Sequence, residues 1–250
     1  MIRVCVAGRT GWTGSAVAAA VEAADDLELV AGVSRTGEDD FRSVAEALDA
    51  APADVVVDFT HAAVVKENAL AALERGVAVV IGSSGLGAGD YDVLERLANE
   101  QGVAVVAAGN FSLTAALVLR FATDAAARFA TWEVIDYASA TKPDAPSGTA
   151  RELAERLGEV HPPSIGVPVD NVLGPHEARG ADVAGTQVHS LRLPSFVVST
   201  EIVFAGGGER LSLRHDAAAT PAPYVAGTLL AVRATAGRVG LTRGLDRLLA

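Results

Sequence analysis

The sequence predicts an α/β protein: a Rossmann-like, doubly wound parallel sheet, followed by a second α+β domain whose sheet is mostly strand. Three observations carry this. Short β-branched runs recur up to residue 107, Ala-rich stretches of helical period separate them, and the first run leads straight into a glycine-rich turn. Strands written as continuous apolar runs are buried on both faces, as in a parallel sheet covered by helices on either side.

The elements follow in order. Ile2–Ala7 reads as a strand, 13–24 as a helix, Leu27–Val33 and Val55–Asp58 as strands and 61–75 as a helix. Residues 77–81 are then a strand, 90–100 a helix and 103–107 a strand. Past Ala107 the pattern changes: 113–129 is a helix, 132–137 a strand, and 149–158 a helix opened by Ser147-Gly148-Thr149, a natural N-cap region. Residues 161–180 mix Pro, Gly and polar residues without a period and read as an irregular excursion. Three β-rich runs, 187–193, 196–204 and 210–214, are split by Pro194-Ser195 and by Gly206-Gly207-Gly208 and read as a meander. Residues 223–236 form a last helix stopped by Gly237, with a short tail beyond. Two domains follow, with a boundary near 107–110.

Composition narrows the function classes. Lys plus Arg number 20 against 31 Asp plus Glu, a net charge of −11 over 250 residues. A nucleic-acid binder needs a basic face, so none is expected, although a local basic pocket for a small anion remains open. Half the residues are apolar, enough for a packed core. The single cysteine, Cys5, lies in an apolar run and reads as buried filler; it permits neither an intramolecular disulfide nor a Cys metal cluster. No pair of histidines has metal-ligand spacing, so no metal is expected. No apolar stretch approaches the roughly 20 residues of a membrane span, and the opening residues lack a signal-peptide pattern. The expectation is a soluble cytoplasmic protein with no membrane partner.

Four segments suggest chemistry. Gly8-Arg9-Thr10-Gly11-Trp12-Thr13-Gly14 follows the first strand and opens a helix. Glycines there let a backbone approach a pyrophosphate, and the N–H groups of a helix start face the anion. The spacing is G-x-x-G-x-x-G, a weak pattern alone, since such turns also serve packing; its place at the head of an alternating chain strengthens it. The second strand runs out into Ser34 and Arg35, where an acid favours NAD and an arginine accommodates the 2′-phosphate of NADP. Ser34 and Arg35 therefore favour NADPH, with NADH possible; the plain alternative is a solvated arginine neutralised by Glu38, Asp39 or Asp40.

Asp58-Phe59-Thr60 and Gly82-Ser83-Ser84-Gly85 lie at the carboxyl ends of strands, where ligands bind in open α/β sheets. Phe59, Thr60, Gly82, Ser83 and Ser84 are thus candidate cofactor contacts, against the alternative that Thr60 or Ser84 caps a helix. The fourth segment, Lys142-Pro143-Asp144-Ala145-Pro146-Ser147-Gly148-Thr149-Ala150, ends in N–H donors and hydroxyls at a helix start, a cradle for a carboxylate or phosphate. Lys142 can reach the same anion or donate a proton; the alternative is a capped helix with a surface lysine. Among the histidines, His61 reads as a solvated cap or a neighbour of the cofactor, His161 and His176 as exposed, and His189 and His215 as structural.

Taken together, these segments resemble the dihydrodipicolinate reductase family along nearly the whole chain, joined by Asn110-Phe111-Ser112, Arg179-Gly180, Gly185, His189 and Arg214-His215-Asp216. The resemblance implies a dinucleotide-binding domain of residues 1–107 completed by 218–250, and a substrate-binding and oligomerisation domain of 108–217. It implies hydride transfer from NADPH or NADH to a small carboxylated cyclic imine, and a homotetramer built on the second sheet. Residues 107–112 would form the interdomain hinge, adding Ala107, Asn110 and Phe111 to the cofactor contacts. Lys142 would be the catalytic lysine, with Ser147, Gly148 and Thr149 on a substrate carboxylate and Ser139 beside the substrate; Tyr137 is a candidate substrate contact and proton donor, against the plainer alternative of a strand-core tyrosine.

The family pattern E-x-H-H-x-H-K is broken, however. Asp136-Tyr137-Ala138-Ser139-Ala140-Thr141-Lys142 places Ala138, Ser139 and Thr141 where imidazoles are usual. A basic residue usual after the His-Asp pair is missing from 217–224, and Gly109 replaces a proline. Each lost charged hydrogen bond is worth about 1.5–3 kcal/mol. These departures point to a paralogue with an altered substrate. The lysine-pathway reductase itself is one alternative; a non-redox enzyme or a silent nucleotide-binding relative is the other.

Overall fold

The computed structural model describes residues 1–36 and 40–249. The chain divides into two compact units, Met1–Leu113 with Pro221–Ala250, and Thr114–Thr220. The first unit runs β1 (Ile2–Ala7), α1 (Trp12–Glu22), β2 (Leu27–Val33), α2 (Val44–Ala50), β3 (Val55–Asp58), α3 (Val65–Leu73), β4 (Ala78–Ile81), α4 (Ala88–Gln101) and β5 (Ala104–Ala107). Then follow α5 (Leu113–Ala126), β6 (Thr131–Ala138), α6 (Gly148–Val160), β7 (Ala181–Val183), β8 (Thr186–Arg192), β9 (Val198–Gly206) and β10 (Glu209–Asp216). The chain returns to the first unit with α7 (Ala222–Thr235) and β11 (Gly240–Arg243).

The first sheet has the order β11-β5-β4-β3-β1-β2, every neighbouring pair parallel. β3, β4 and β5 are buried along their whole length, which is why they read as unbroken apolar runs. This order places the carboxyl ends of β1, β3 and β4 side by side and brings the glycine turn after β1 next to Phe59 and Thr60 after β3. Two elements here depart from the sequence expectation. Residues 44–50 form a helix whose N-cap Ser43 accepts from Glu46 N–H. The tail beyond the last helix supplies β11, paired from Gly240 to Arg243 with β5.

The second sheet has the order β10-β9-β6-β8-β7. The expected meander is therefore only half right. β9 and β10 form a hairpin across Gly207 and Gly208, whose φ of 61° and 84° suit a tight hairpin turn. β8, by contrast, lies on the far side of β6 and parallel to it, so Pro194-Ser195 belongs to a crossover rather than a hairpin. Residues 161–180 hold only two short 3₁₀ turns, Val169–Asn171 and His176–Arg179.

β6 is the central strand of this sheet and alternates strictly. Trp132, Val134, Asp136 and Ala138 are buried on one face, while Glu133, Ile135 and Tyr137 are half-buried on the other. Trp132 and Val134 pack with Leu153, Ala154 and Leu157 of α6 and with Val188, Ile202 and Phe204. His161 corrects an expectation of exposure: its ring lies 4.8 Å from the Trp132 ring, and its Nε2 and Nδ1 sit 2.9 Å from the carbonyls of Ala126 and Pro162.

Candidate functional site

In the first unit the site begins where β1 turns into α1. Gly8 has φ of +83°, and a Cβ there would stand 2.4 Å from the Phe59 carbonyl oxygen; one on Gly14 would stand 2.1 Å from that of Gly8. Only glycine allows this packing. The turn is tied down by Gly8 N–H to the Val33 carbonyl at 2.9 Å and Gly11 N–H to the Gly8 carbonyl at 2.8 Å. α1 starts at Trp12 with Gly11 as N-cap, no capping side chain and no acid in its first turn. Helix-start N–H groups lack intrahelical acceptors and carry partial positive charge, so the turn fits a pyrophosphate. Thr10 and Trp12 are exposed and Thr13 half-buried at this opening. The Trp12 ring meets Tyr224 edge-on at 5.9 Å.

At the end of β2, Ser34 is buried, with its Oγ 3.4 Å from Thr36 Oγ1, while Arg35 is exposed. Asp40 does not neutralise Arg35. It pairs with Arg9 of the glycine turn, Nη1 to Oδ1 at 2.7 Å. Glu38 and Asp39, the other expected neighbours, lie outside the described residues. Cys5, three residues back along β1 from Gly8, is inert filler: burial, with a contribution from Asp40, pushes its thiol up to about 12.

The carboxyl ends of β3 and β4 are organised by one side chain that the sequence analysis passed over. Asp58 is fully buried. Its Oδ1 accepts from Thr60 N–H at 3.0 Å, Thr60 Oγ1 at 2.7 Å and Ser83 Oγ at 2.5 Å, and its Oδ2 from Asn68 Nδ2 at 2.8 Å. The hydroxyls of Thr60 and Ser83 thus face Asp58, whereas Ser84 is exposed. Neither Thr60 nor Ser84 caps a helix: the N-caps of α3 and α4 are Val64 and Gly87. Phe59 packs edge-on against Phe111 at 5.7 Å. Asn110 Oδ1 accepts from Ser112 N–H at 2.8 Å, and the Ala107 carbonyl accepts from Gly244 N–H at 2.8 Å.

In the second unit the loop from Ser139 to Ser147 is built on Asp136, again fully buried. Ser147 N–H donates to its Oδ2 at 2.9 Å and Ser147 Oγ to its Oδ1 at 2.7 Å. Ser190 Oγ at 3.1 Å and Arg192 Nη2 at 2.8 Å also donate to Oδ2. Burial pushes the Asp136 carboxyl up, but the Ser147 bonds and the Arg192 guanidinium outweigh it and hold the group below the ordinary carboxylate range. Arg192 Nη2 also donates to the Asp144 carbonyl at 2.7 Å. Ser147 Oγ accepts from Ala150 N–H at 3.3 Å, so this hydroxyl serves as a helix cap and an Asp136 donor. Gly148 and Thr149 are left as the first helical residues of α6.

Lys142 stands in the same loop, its Nζ 2.8 Å from Asp144 Oδ1, and its N–H donates to the Ser139 carbonyl at 3.0 Å. Ser139 Oγ lies 3.1 Å from Thr141 Oγ1, a local turn contact. Tyr137 sits on the sheet face opposite Asp136, and its hydroxyl donates to Glu201 Oε2 at 3.1 Å. Burial and Glu201 raise its pKa, which makes it a weaker acid than a free tyrosine. Arg214 lies over its ring at 4.7 Å and pairs bidentately with Asp216. On the same face His189 Nε2 meets Glu133 Oε2 at 2.8 Å, and Arg179 also pairs with Glu133. His215 is buried, which lowers its pKa and suits a structural role. His61 and His176 are exposed.

No helix among the described residues is long and apolar enough to cross a membrane. Residues 2–111 match the family "Dihydrodipicolinate reductase, N-terminus" and residues 114–249 match "Dihydrodipicolinate reductase, C-terminus". A 4-hydroxy-tetrahydrodipicolinate reductase of Mycolicibacterium vanbaalenii is 40% identical over 249 residues, covering 99% of each chain. One of Beutenbergia cavernae is 41% identical over 253 residues, covering 98% of this chain and 97% of that one. The dipicolinate-bound dihydrodipicolinate reductase of Paenisporosarcina superposes with a TM-score of 0.81 at 28% identity, covering 100% of both chains.

Proposed function

The chain belongs to the dihydrodipicolinate reductase family, and from that premise we propose that it reduces a small, carboxylated, unsaturated C=N compound with NAD(P)H. The dihydronicotinamide, when bound, supplies the hydride; this chain's residues bind, orient and handle charge. The glycine turn with Trp12, Thr13 and Gly14 holds the pyrophosphate, and the β2 end with Arg35 receives the adenosine ribose of NADPH or NADH. Gly148, Thr149 and Lys142 hold a substrate carboxylate, with Ser147 and Asp136 fixing the loop. Ala138 carries no proton and Tyr137 is committed to Glu201, so the proton that completes the reduction comes from Lys142 Nζ or from water. A protonated iminium is already activated and needs no strong acid from the protein.

The observation that carries this reading is the 142–149 loop, built on a buried, ionised Asp136 in a chain that matches the reductase family end to end. The named relatives make 4-hydroxy-tetrahydrodipicolinate, the lysine-pathway substrate, the first compound to test. A second reading rests on Ala138, Ser139 and Thr141: without imidazoles there, a less anionic imino acid is the substrate and the chain is a paralogue. In either case residues 1–107 with 218–250 serve the dinucleotide, and 108–217 serve the substrate and a homotetramer of a cytoplasmic enzyme; light scattering on the eluted protein tests the assembly. Activity is settled by following dihydronicotinamide absorbance with 4-hydroxy-tetrahydrodipicolinate and with monocarboxylated cyclic imines. Turnover of the first supports the lysine-pathway reaction, and turnover of the second alone supports the paralogue. Dinucleotide binding without turnover of any imine contradicts both.

A further inference from the structure

The end of β2 carries a charged pair whose placement goes beyond the cofactor contacts above. A Cβ on Gly32 would stand 2.2 Å from Asp40 Oδ1 and 2.3 Å from Arg9 Cδ, so both side chains lie directly on that glycine's peptide. Both are anchored there. Phe41 N–H donates to the Gly32 carbonyl at 2.9 Å and the Phe41 carbonyl accepts from Ser34 N–H at 3.0 Å, pinning Asp40 beside the strand. Arg9 N–H reaches the Val33 carbonyl at 3.2 Å, pinning the arginine from the turn side. The Asp40 side chain is only 3% exposed, whereas that of Arg9 is 34% exposed, with a second, looser acidic neighbour in Glu22 at 4.0 Å.

In this architecture an acid at the β2 end recognises the ribose hydroxyls of NADH, and an arginine nearby accommodates the 2′-phosphate of NADPH. Here the strand ends at Val33 and runs out into Ser34, and an acid and an arginine are delivered together from outside it. We propose that Arg9 and Asp40 are a specificity-determining pair for the ribose 2′ position, with Asp40 acting against the 2′-phosphate. This rests on the dinucleotide reading of the glycine turn. A ribose diol donates to Asp40 without disturbing its bond to Arg9. A phosphate draws the more exposed Arg9 toward itself and leaves the buried carboxylate facing an anion with its counter-charge withdrawn. The chain accordingly accepts both dinucleotides, and Asp40 keeps NADPH from being strongly preferred.

The test is binding to the full-length protein without imine, read by fluorescence of Trp12 and by calorimetry. The ligands are NADPH, NADH and the fragments 2′,5′-ADP and 5′-AMP. Asp40→Asn, which keeps the shape and removes the charge, raises affinity for NADPH and 2′,5′-ADP roughly tenfold and lowers it roughly threefold for NADH and 5′-AMP, whose ribose diol loses a charged acceptor. Arg9→Gln lowers affinity for NADPH and 2′,5′-ADP roughly tenfold, with a smaller change for NADH. Thermal melting of each variant shows whether it is folded, and Arg9→Gln decides if Asp40→Asn is not. An NADPH-to-NADH affinity ratio that neither substitution moves overturns the pair while leaving the dinucleotide site standing. Equal loss of both dinucleotides in Arg9→Gln also overturns it, because the arginine then serves the shared pyrophosphate. Failure of the unaltered protein to bind either dinucleotide overturns the site reading and this inference together.

Discussion

Two aspartates solve the same problem in different ways. Asp58 in the first unit and Asp136 in the second are both fully buried on central strands, and both gather hydroxyls from the loops that carry the candidate site. Asp58 accepts from neutral groups, those of Thr60, Asn68 and Ser83. Asp136 adds a cation, Arg192, whose guanidinium also holds the Asp144 carbonyl. A carboxylate satisfied by neutral donors is a local clamp, whereas one paired with an arginine becomes a joint between elements distant in sequence. Arg192, Ser190 and Ser147 come from β8 and the α6 N-terminus, so Asp136 fixes the 139–147 loop from both sides.

The largest expected effect separates the two. Asp136→Ala strands the Arg192 charge and the buried Ser147 donors and costs about 3–5 kcal/mol in urea unfolding. Asp58→Ala leaves only neutral donors, which water reaches at less cost, and loses about 1–3 kcal/mol. Equal losses would break the comparison.

Milder substitutions sharpen it. Asp136→Asn raises the KM for a carboxylated imine roughly tenfold while leaving dinucleotide Kd within about twofold, and Asp58→Asn does the reverse. Steady-state kinetics with a parallel binding titration reads both, and a common effect on the two constants would show that the clamps are not separate. Smaller again, Thr60→Val removes one charge-assisted bond to Asp58 and lowers stability by about 1.5 kcal/mol by urea unfolding.

The pH dependence gives the smallest and most specific signature. Asp136 is held below the ordinary carboxylate range, so its contribution is complete above about 3.9, the unfolded value, and is lost as pH falls toward the folded one. His215 is kept neutral by burial, so the unfolded chain takes up a proton that the folded one refuses. Its contribution is complete above about 6.5 and declines as pH falls below that. His215→Gln flattens the stability curve just below pH 6.5, and Asp136→Asn flattens only the acid limb, both by chemical denaturation across pH.

The parts of the molecule legible in the sequence are those where local pattern and burial agree. β1 to β5 are apolar because helices cover both sheet faces, and the glycine turn announces itself through residues that tolerate no Cβ. α2 escapes because seven residues hold too few periods to see, although Ser43 and Glu46 form a capping pattern. β11 reads Gly-Leu-Thr-Arg, which becomes a strand only by pairing with β5. The order of the second sheet is likewise tertiary: alternation marks β8 and β9 as strands but says nothing of β6 passing between them. In the site, Lys142 and the α6 start are legible from the loop, whereas the roles of Asp58 and Asp136 are not. A single acid closing the run Val55–Asp58, or set inside β6, was the available signal. The Arg9–Asp40 pair joins residues 31 apart and has no local signature.

Hydride transfer is best read in a single-turnover experiment: protein preloaded with NADPH, mixed with 4-hydroxy-tetrahydrodipicolinate or a monocarboxylated cyclic imine. One dihydronicotinamide is expected to be oxidised for each C=N compound consumed, and Lys142→Ala to slow this while the cofactor stays bound. Bound NADPH that persists unchanged in the presence of every such compound would contradict it.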